Sequence, residues 1–134
     1  MMTGGNPTAT ATAATVAGAH ATLVRRLYEL IDGGDVAGLA ALFASDAVYH
    51  RPGYPPLTGA AAIDHFYRHD RVIESGRHTL HAVLSGDHAV AVRGVFSGVL
   101  RDGRLQEHHF AEFFTIGGDG LISRRDTFFH VPLV

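Results

Sequence analysis

The chain has 134 residues and a mass of 14.3 kDa, which sets an expectation of one domain. Hydrophobic residues make up 46% and charged residues 18%, enough apolar content for a sizeable core. A formal charge of −2 and a pI near 6.5 argue against a nucleic-acid module, which would carry a basic patch or stripe. No window approaches the apolar length of a membrane span.

Two absent residue types narrow the chemistry further. There is no cysteine, hence no thiol nucleophile, disulfide framework or zinc knuckle. All 11 basic residues are Arg, so lysine Schiff-base chemistry is excluded. What remains is acid–base work by His, Asp, Glu and Tyr, with Arg as electrostatic helper; no cofactor and no metal are expected. The first residues lack a basic region followed by an apolar run, so no secretory signal is expected and a cytoplasmic protein is the default.

In chain order, residues 1–17 are Thr/Ala/Gly-rich and read as a mobile tail, with the domain over 18–134. A helical period starts at Gly18. Leu23, Val24, Leu27, Tyr28, Leu30 and Ile31 fall on one stripe, which Gly33-Gly34 ends. Asp35 can N-cap a short second helix. Ser45 to Arg51 reads as a strand, stopped by Pro52-Gly53 and Pro55-Pro56. A third helix opens near Gly59. Its apolar side carries Ile63, Phe66, Tyr67, Asp70 and Ile73, His65 and His69 lie opposite, and Gly76 ends it. Four strands follow, over 77–84, 88–100, 105–116 and 121–131. The whole is an α+β domain, three helices followed by an antiparallel meander and packed on one face of the sheet.

Closing the hairpins at Asp102-Gly103 and at Gly118-Asp119 sets a register. Arg93 then opposes Glu112, and Ser97 opposes His108. On the other side Glu112 opposes Arg125, Phe110 opposes Thr127, and His108 opposes Phe129. A row Arg93–Glu112–Arg125 is therefore expected on one face, a structural ion-pair network or a site in a pocket. The opposite face would carry Val90, Val92, Phe96, Phe113 and Phe128. So broad an apolar patch predicts a homodimer.

Three phrases, LYELIDGGDVAGLAALFASDAVYHRPG, LTGAAAIDHFY and FAEFFTIGGDGLISR, resemble the SnoaL-like group of the nuclear transport factor 2-like superfamily. Its relatives include ketosteroid isomerases, polyketide cyclases and limonene epoxide hydrolase. The resemblance covers about residues 20–131 and implies a conical fold with a pocket at one end, often in a homodimer. It puts Leu27 at the first-helix Tyr of the isomerases, with Tyr28 one step away. Arg51 stands at their base, Glu112 at their strand acid, and Tyr67 at their supporting Tyr. The isomerases keep that acid neutral in an apolar site, a case the general chemistry of tuned carboxylic acids already describes. With two of those three catalytic groups missing, ketosteroid isomerisation is not expected. Against the Asp-Arg-Asp set of the epoxide hydrolase, the row here is inverted. Asp126 lies near that enzyme's last-strand Asp, but the register turns it outward and Thr127 inward.

Register and resemblance together yield the candidate site. His108 is the expected proton carrier, because an imidazole titrates near neutral pH. Glu112, held ionised by neighbouring Arg, organises Arg93 and Arg125. Arg51 holds a carboxylate or enolate oxygen, and Asp126 is the alternative proton carrier. His50, Tyr67, Leu27, Phe110, Phe129, Arg125 and Asp70 are expected to line the pocket. His65 and His69 have chelating spacing, but a solvent face and no third ligand.

The expected function is a cofactor-independent small-molecule enzyme of the cyclase, isomerase or epoxide-hydrolase kind. It would act on an apolar substrate with an anionic or enolisable oxygen, without nucleic-acid or membrane partners. The alternative is a non-catalytic ligand-binding or dimeric scaffold domain. Three Arg facing an apolar cone favour the first.

Overall fold

The computed structural model describes residues 5–131, with side chains from Thr15 onward. Helix α1 spans Gly5–Gly33 and buries the expected stripe: Val24, Leu27, Tyr28, Leu30 and Ile31 are at most 6% exposed. It begins at Gly5 rather than Gly18, so residues 5–17 of the expected tail are helical. The extension lacks large apolar side chains, hence any periodic signal, but it is rich in alanine, the best helix former. Ser85 Oγ donates to the Ala17 carbonyl, and His20 Nδ1 lies 3.1 Å from the Gly86 carbonyl, tying α1 to a sheet turn.

Gly34 ends α1 in the left-handed region, at φ 74°. Its N–H donates to the Ile31 carbonyl and the Asp35 N–H to that of Leu30, a glycine C-cap that satisfies two orphan carbonyls. Asp35 then caps α2 (Val36–Ala40), its Oδ1 accepting from the Gly38 N–H at 2.9 Å.

Strand β1 (Phe43–His50), the short β2 (Leu57–Thr58) and α3 (Ala60–His65) follow. A π-helical turn over Phe66–Asp70 continues α3. The meander is β3 (Ile73–Ser85), β4 (Ala89–Leu100), β5 (Leu105–Ile116) and β6 (Ile122–His130). Strand order is β2-β1-β6-β5-β4-β3. The β1–β6 pairing is parallel, so the sheet is mixed rather than antiparallel throughout. Helices and inner sheet face share one core, in which Leu27, Tyr49, Ile63, Phe66, Phe114 and Ile122 are at most 1% exposed.

Gly76 does not end a helix. It lies within β3, where an added Cβ would sit 2.3 Å from the Phe96 ring. The third helix stops at Asp70, and the glycine makes room for an aromatic ring.

Both hairpin registers differ from expectation, with unequal consequences. The first loop is Arg101-Asp102-Gly103, closed by Leu100 N–H donating to the Arg104 carbonyl, with Gly103 at φ 89°. Asp-Gly occupies the end of a three-residue loop instead of forming a two-residue one. One extra residue turns β4 over relative to β5: Val92, not Arg93, opposes Glu112, and Phe96 opposes His108. The face expected outside is therefore divided. Val90, Val92 and Phe96 are buried, while Phe113 and Phe128 are 51% and 55% exposed, edge to face at 5.8 Å.

The second loop is also longer by one residue, closed at Gly117 and Leu121. A bulge before Ile116 adds a second step. Two steps restore the faces. Thr127 opposes Glu112 and Phe129 opposes Phe110, while Arg125 and Thr127 stay inside.

Candidate functional site

The inner face of β5 and β6 carries an ion pair within the core. Arg125 Nε lies 2.7 Å from Glu112 Oε2, and Arg125 Nη2 lies 3.0 Å from Oε1. Tyr28 of α1 donates to Oε1 at 2.6 Å, and Thr127 Oγ1 donates to Oε2. Four donors thus fill the four acceptor positions of one carboxylate. Arg125 Nη1 donates to the Tyr67 hydroxyl at 2.9 Å, and its guanidinium lies 4.4 Å from the Tyr49 ring centroid.

The electrostatics follow from this packing. Burial alone would raise the Glu112 pKa, but the Arg125 charge and the surrounding hydrogen bonds outweigh it and hold the carboxyl below its usual range. Burial would lower Arg125, and Glu112 holds it well above the ordinary arginine value instead. Burial, then the Glu112 charge, push the Tyr28 hydroxyl upward, so it remains a donor. Tyr49 is pushed up to about 12, chiefly by burial. Glu112 is therefore held in its ionised form and saturated with donors; of the two arginines expected beside it, Arg125 is present and Arg93 is not.

Beside this anchor lies a narrow cavity with about 380 Å³ of free space, including its open mouth. Arg51, Arg71, His78 and His108 line it, together with the anchor and with Phe96, Phe110 and Phe129. Arg51, at the end of β1, lies 5.6–5.9 Å from the ring centroids of Tyr54, Phe66 and Phe129. Arg71, just after the π-helical turn, lies 5.2 Å from the Tyr67 ring centroid. Neither forms an ion pair among the described residues, and the Nε of each is buried without a hydrogen-bond partner. Burial pushes Arg71 below the ordinary arginine value; Tyr67 opposes this, and the Arg51 and Arg125 charges reinforce it. At Tyr67, burial raises the hydroxyl, but three arginines outweigh it and bring it below the usual tyrosine value. The Tyr67 shift records the positive charge around it, whereas the Arg71 shift comes first from burial.

The expected site residues separate into two groups. His108, Glu112, Arg51, Arg125, Tyr67, Phe110 and Phe129 meet at the cavity, with His108 stacked on Phe129 at 5.2 Å. The others do not reach it. Arg93 is exposed on the outer face beside His109, Phe128 and His130, through the one-residue flip. Asp126 also faces outward, gripped by Arg124 at 2.8 Å, with His50 Nδ1 3.1 Å away. Leu27 is core, and the neighbouring Tyr28 takes the inward position. The resemblance was one residue out there. Asp70 is about half exposed and lies 3.7 Å from His65 Nε2. Among the described residues no three side chains of metal-ligand type converge.

Three contributors were missed. A helix ending at Gly76 hides Arg71, which the structure places just after the π-helical turn. His78 lies on a strand whose face no turn in the sequence fixes, and it shares that face with Leu80. Asp32 stands one residue before Gly33 with no motif around it, and its carboxylate meets His78.

Helices packed on a six-stranded mixed sheet give an α+β fold of the nuclear transport factor 2-like class. A family model described as "SnoaL-like domain" matches residues 24–125, well over half the chain, and the chain belongs to that family. No curated protein matches it. Among solved structures it is similar to an LEH-like epoxide hydrolase of M. tuberculosis, with TM-score 0.75, 15% identity, and 85% of this chain and 84% of that one covered. It is similar to a candidate polyketide cyclase of Xanthomonas campestris pv. campestris, with TM-score 0.72, 21% identity and coverage of 86% and 93%. It is also similar to a candidate ketosteroid isomerase of Kribbella flavida, with TM-score 0.71, 23% identity and coverage of 88% and 82%. No helix among the described residues is long and apolar enough to cross a membrane.

Proposed function

We propose that the chain is a cofactor-independent enzyme acting on an apolar, oxygenated small molecule, a reading supported by its similarity to structures described as a candidate polyketide cyclase, an epoxide hydrolase and a candidate ketosteroid isomerase. Its substrate carries a carboxylate or an enolisable oxygen, held by Arg51 and Arg71. One observation carries this reading. The cavity already contains an internally neutralised Glu112–Arg125 pair, yet two further guanidinium groups line it with buried, unpartnered Nε donors. An unsatisfied buried donor costs roughly 1–3 kcal/mol, more when charged. An anionic ligand oxygen at the cavity wall makes charge-assisted bonds to these guanidinium groups and offsets the cost of burying their charge. The surrounding aromatic rings suit an apolar body, and His78 and His108 are imidazoles placed for proton transfer.

Calorimetry with 3-benzoylpropionate and its amide tests the charge preference. The carboxylate should bind about tenfold or more tightly, since one charge-assisted bond contributes roughly 1.5–3 kcal/mol. Arg71→Met should remove the preference. Equal affinity of wild type for both compounds would overturn the reading. The exposed Phe113–Phe128 pair supports self-association through the outer face. Light scattering should then report twice 14.3 kDa.

A further inference from the structure

Two imidazoles line the cavity, and only one has a carboxylate behind it. Asp32, in the last turn of α1, holds His78 of β3 at two points. Its Oδ2 accepts the His78 backbone N–H at 2.8 Å, and its Oδ1 lies 2.6 Å from Nδ1. The first contact fixes the strand against the helix and the second fixes the ring. An ionised carboxylate only accepts, so Nδ1 carries a proton, and in the neutral ring Nε2 keeps its lone pair. No described residue bonds to Nε2. Tyr28, Phe96 and Phe110 surround the ring at centroid distances of 5.0, 4.8 and 5.5 Å, which leaves it little freedom to turn. The side chain is 10% exposed, and it lines the same cavity as Arg51 and Arg71. His108, by contrast, stacks on Phe129 and has no carboxylate bonded to it among the described residues.

We propose that Asp32 and His78 form a proton-transfer pair, His78 as the catalytic base and Asp32 as its positioning residue. This rests on the anion-binding reading of the cavity given above. His78 Nε2 takes a proton from the carbon next to a substrate carbonyl. The electron pair of the broken C–H bond becomes the enolate, and the imidazolium returns the proton to carbon; nothing is oxidised or reduced. Asp32 stabilises the transient imidazolium and keeps its Nδ1 proton in place. Arg51 and Arg71 supply positive charge where the enolate oxygen develops. The saturated Glu112 takes no proton in this scheme, and Asp126, held by Arg124 on the outer face, lies outside the cavity lining.

The test is deuterium exchange into the methylene beside the ketone of 3-benzoylpropionate, followed by NMR in D₂O, with the affinity of each variant measured by calorimetry. Wild type should exchange this position faster than buffer. His78→Gln should lower the exchange rate about 10²–10⁴-fold, with affinity for the probe changed less than twofold. Asp32→Asn should lower the rate at least about tenfold, also at unchanged affinity, a split between turnover and binding that general loss of structure would not produce. Wild-type exchange in His78→Gln, with the loss falling on His108→Gln, would overturn the pair. So would wild-type protein that binds the probe without exchanging it. Wild type that does not bind the probe would instead sink the anion-binding reading, and this proposal with it.

Discussion

Two arginine–carboxylate pairs straddle strand β6, one on each face. Arg125 reaches Glu112 inside with an Nε contact of 2.7 Å; Arg124 reaches Asp126 outside at 2.8 Å. Side-chain exposure is 3% and 2% for the inner pair, against 53% and 19% for the outer. The bond lengths are nearly the same and the energetics are not. Outside, water screens the charges and two mobile side chains lose entropy to meet. Inside, each charge has given up its hydration, so its partner is what keeps it tolerable. The inner pair therefore has to be saturated, and Tyr28, Thr127 and Tyr67 complete it. A carboxylate so occupied is an anchor for the cavity wall and a poor acid. What the cavity leaves without a hydrogen-bond partner among the described residues is the Nε of Arg51 and of Arg71, and on those groups the proposed chemistry draws.

The sharpest way to break this comparison is to remove one inner partner. Glu112→Gln should cost about 3–5 kcal/mol in urea unfolding, because Arg125 remains charged in the core. Replacing both residues, Glu112→Leu with Arg125→Met, should cost much less, since no charge is then stranded. The loss in Glu112→Gln should depend on pH. The Glu112 pKa is lowered in the folded state. Its contribution is therefore present above the ordinary glutamate value and is lost as pH falls through the lowered folded value. The gap between wild type and variant should close along that acid limb. Tyr28→Phe deletes one hydrogen bond to the carboxylate and should cost about 1.5–3 kcal/mol. Asp126→Asn should leave the unfolding midpoint at its wild-type position in physiological salt. If it destabilised as much as Glu112→Gln, burial would not be what separates the two pairs.

Legibility of the site followed the periodicities. On β6 the alternation placed Arg125, Thr127 and Phe129 on one face, and a two-step register error left them there. On β4 a one-step error exchanged Arg93 for Val92. The same Asp-Gly signal serves a two- or a three-residue loop, and only the path of the whole hairpin distinguishes them. Gly76 shows a similar ambiguity: a glycine that stops a helix and one that admits a phenylalanine ring are the same letter.

By itself the sequence determined the α+β order of elements, the apolar stripe of α1, the glycine C-cap and Asp35 cap, and a chemistry limited to His, acid, Tyr and Arg. Each depends on neighbours a few residues away, where backbone geometry is local. Only the tertiary structure decided that Tyr28 rather than Leu27 meets Glu112, that Arg71 rather than Arg93 joins the cavity, and that Asp32 backs His78 across 46 residues of chain. Those contacts join helix to sheet and strand to strand. They depend on register and on where α3 ends, which are set when the core packs and not by the residues alongside.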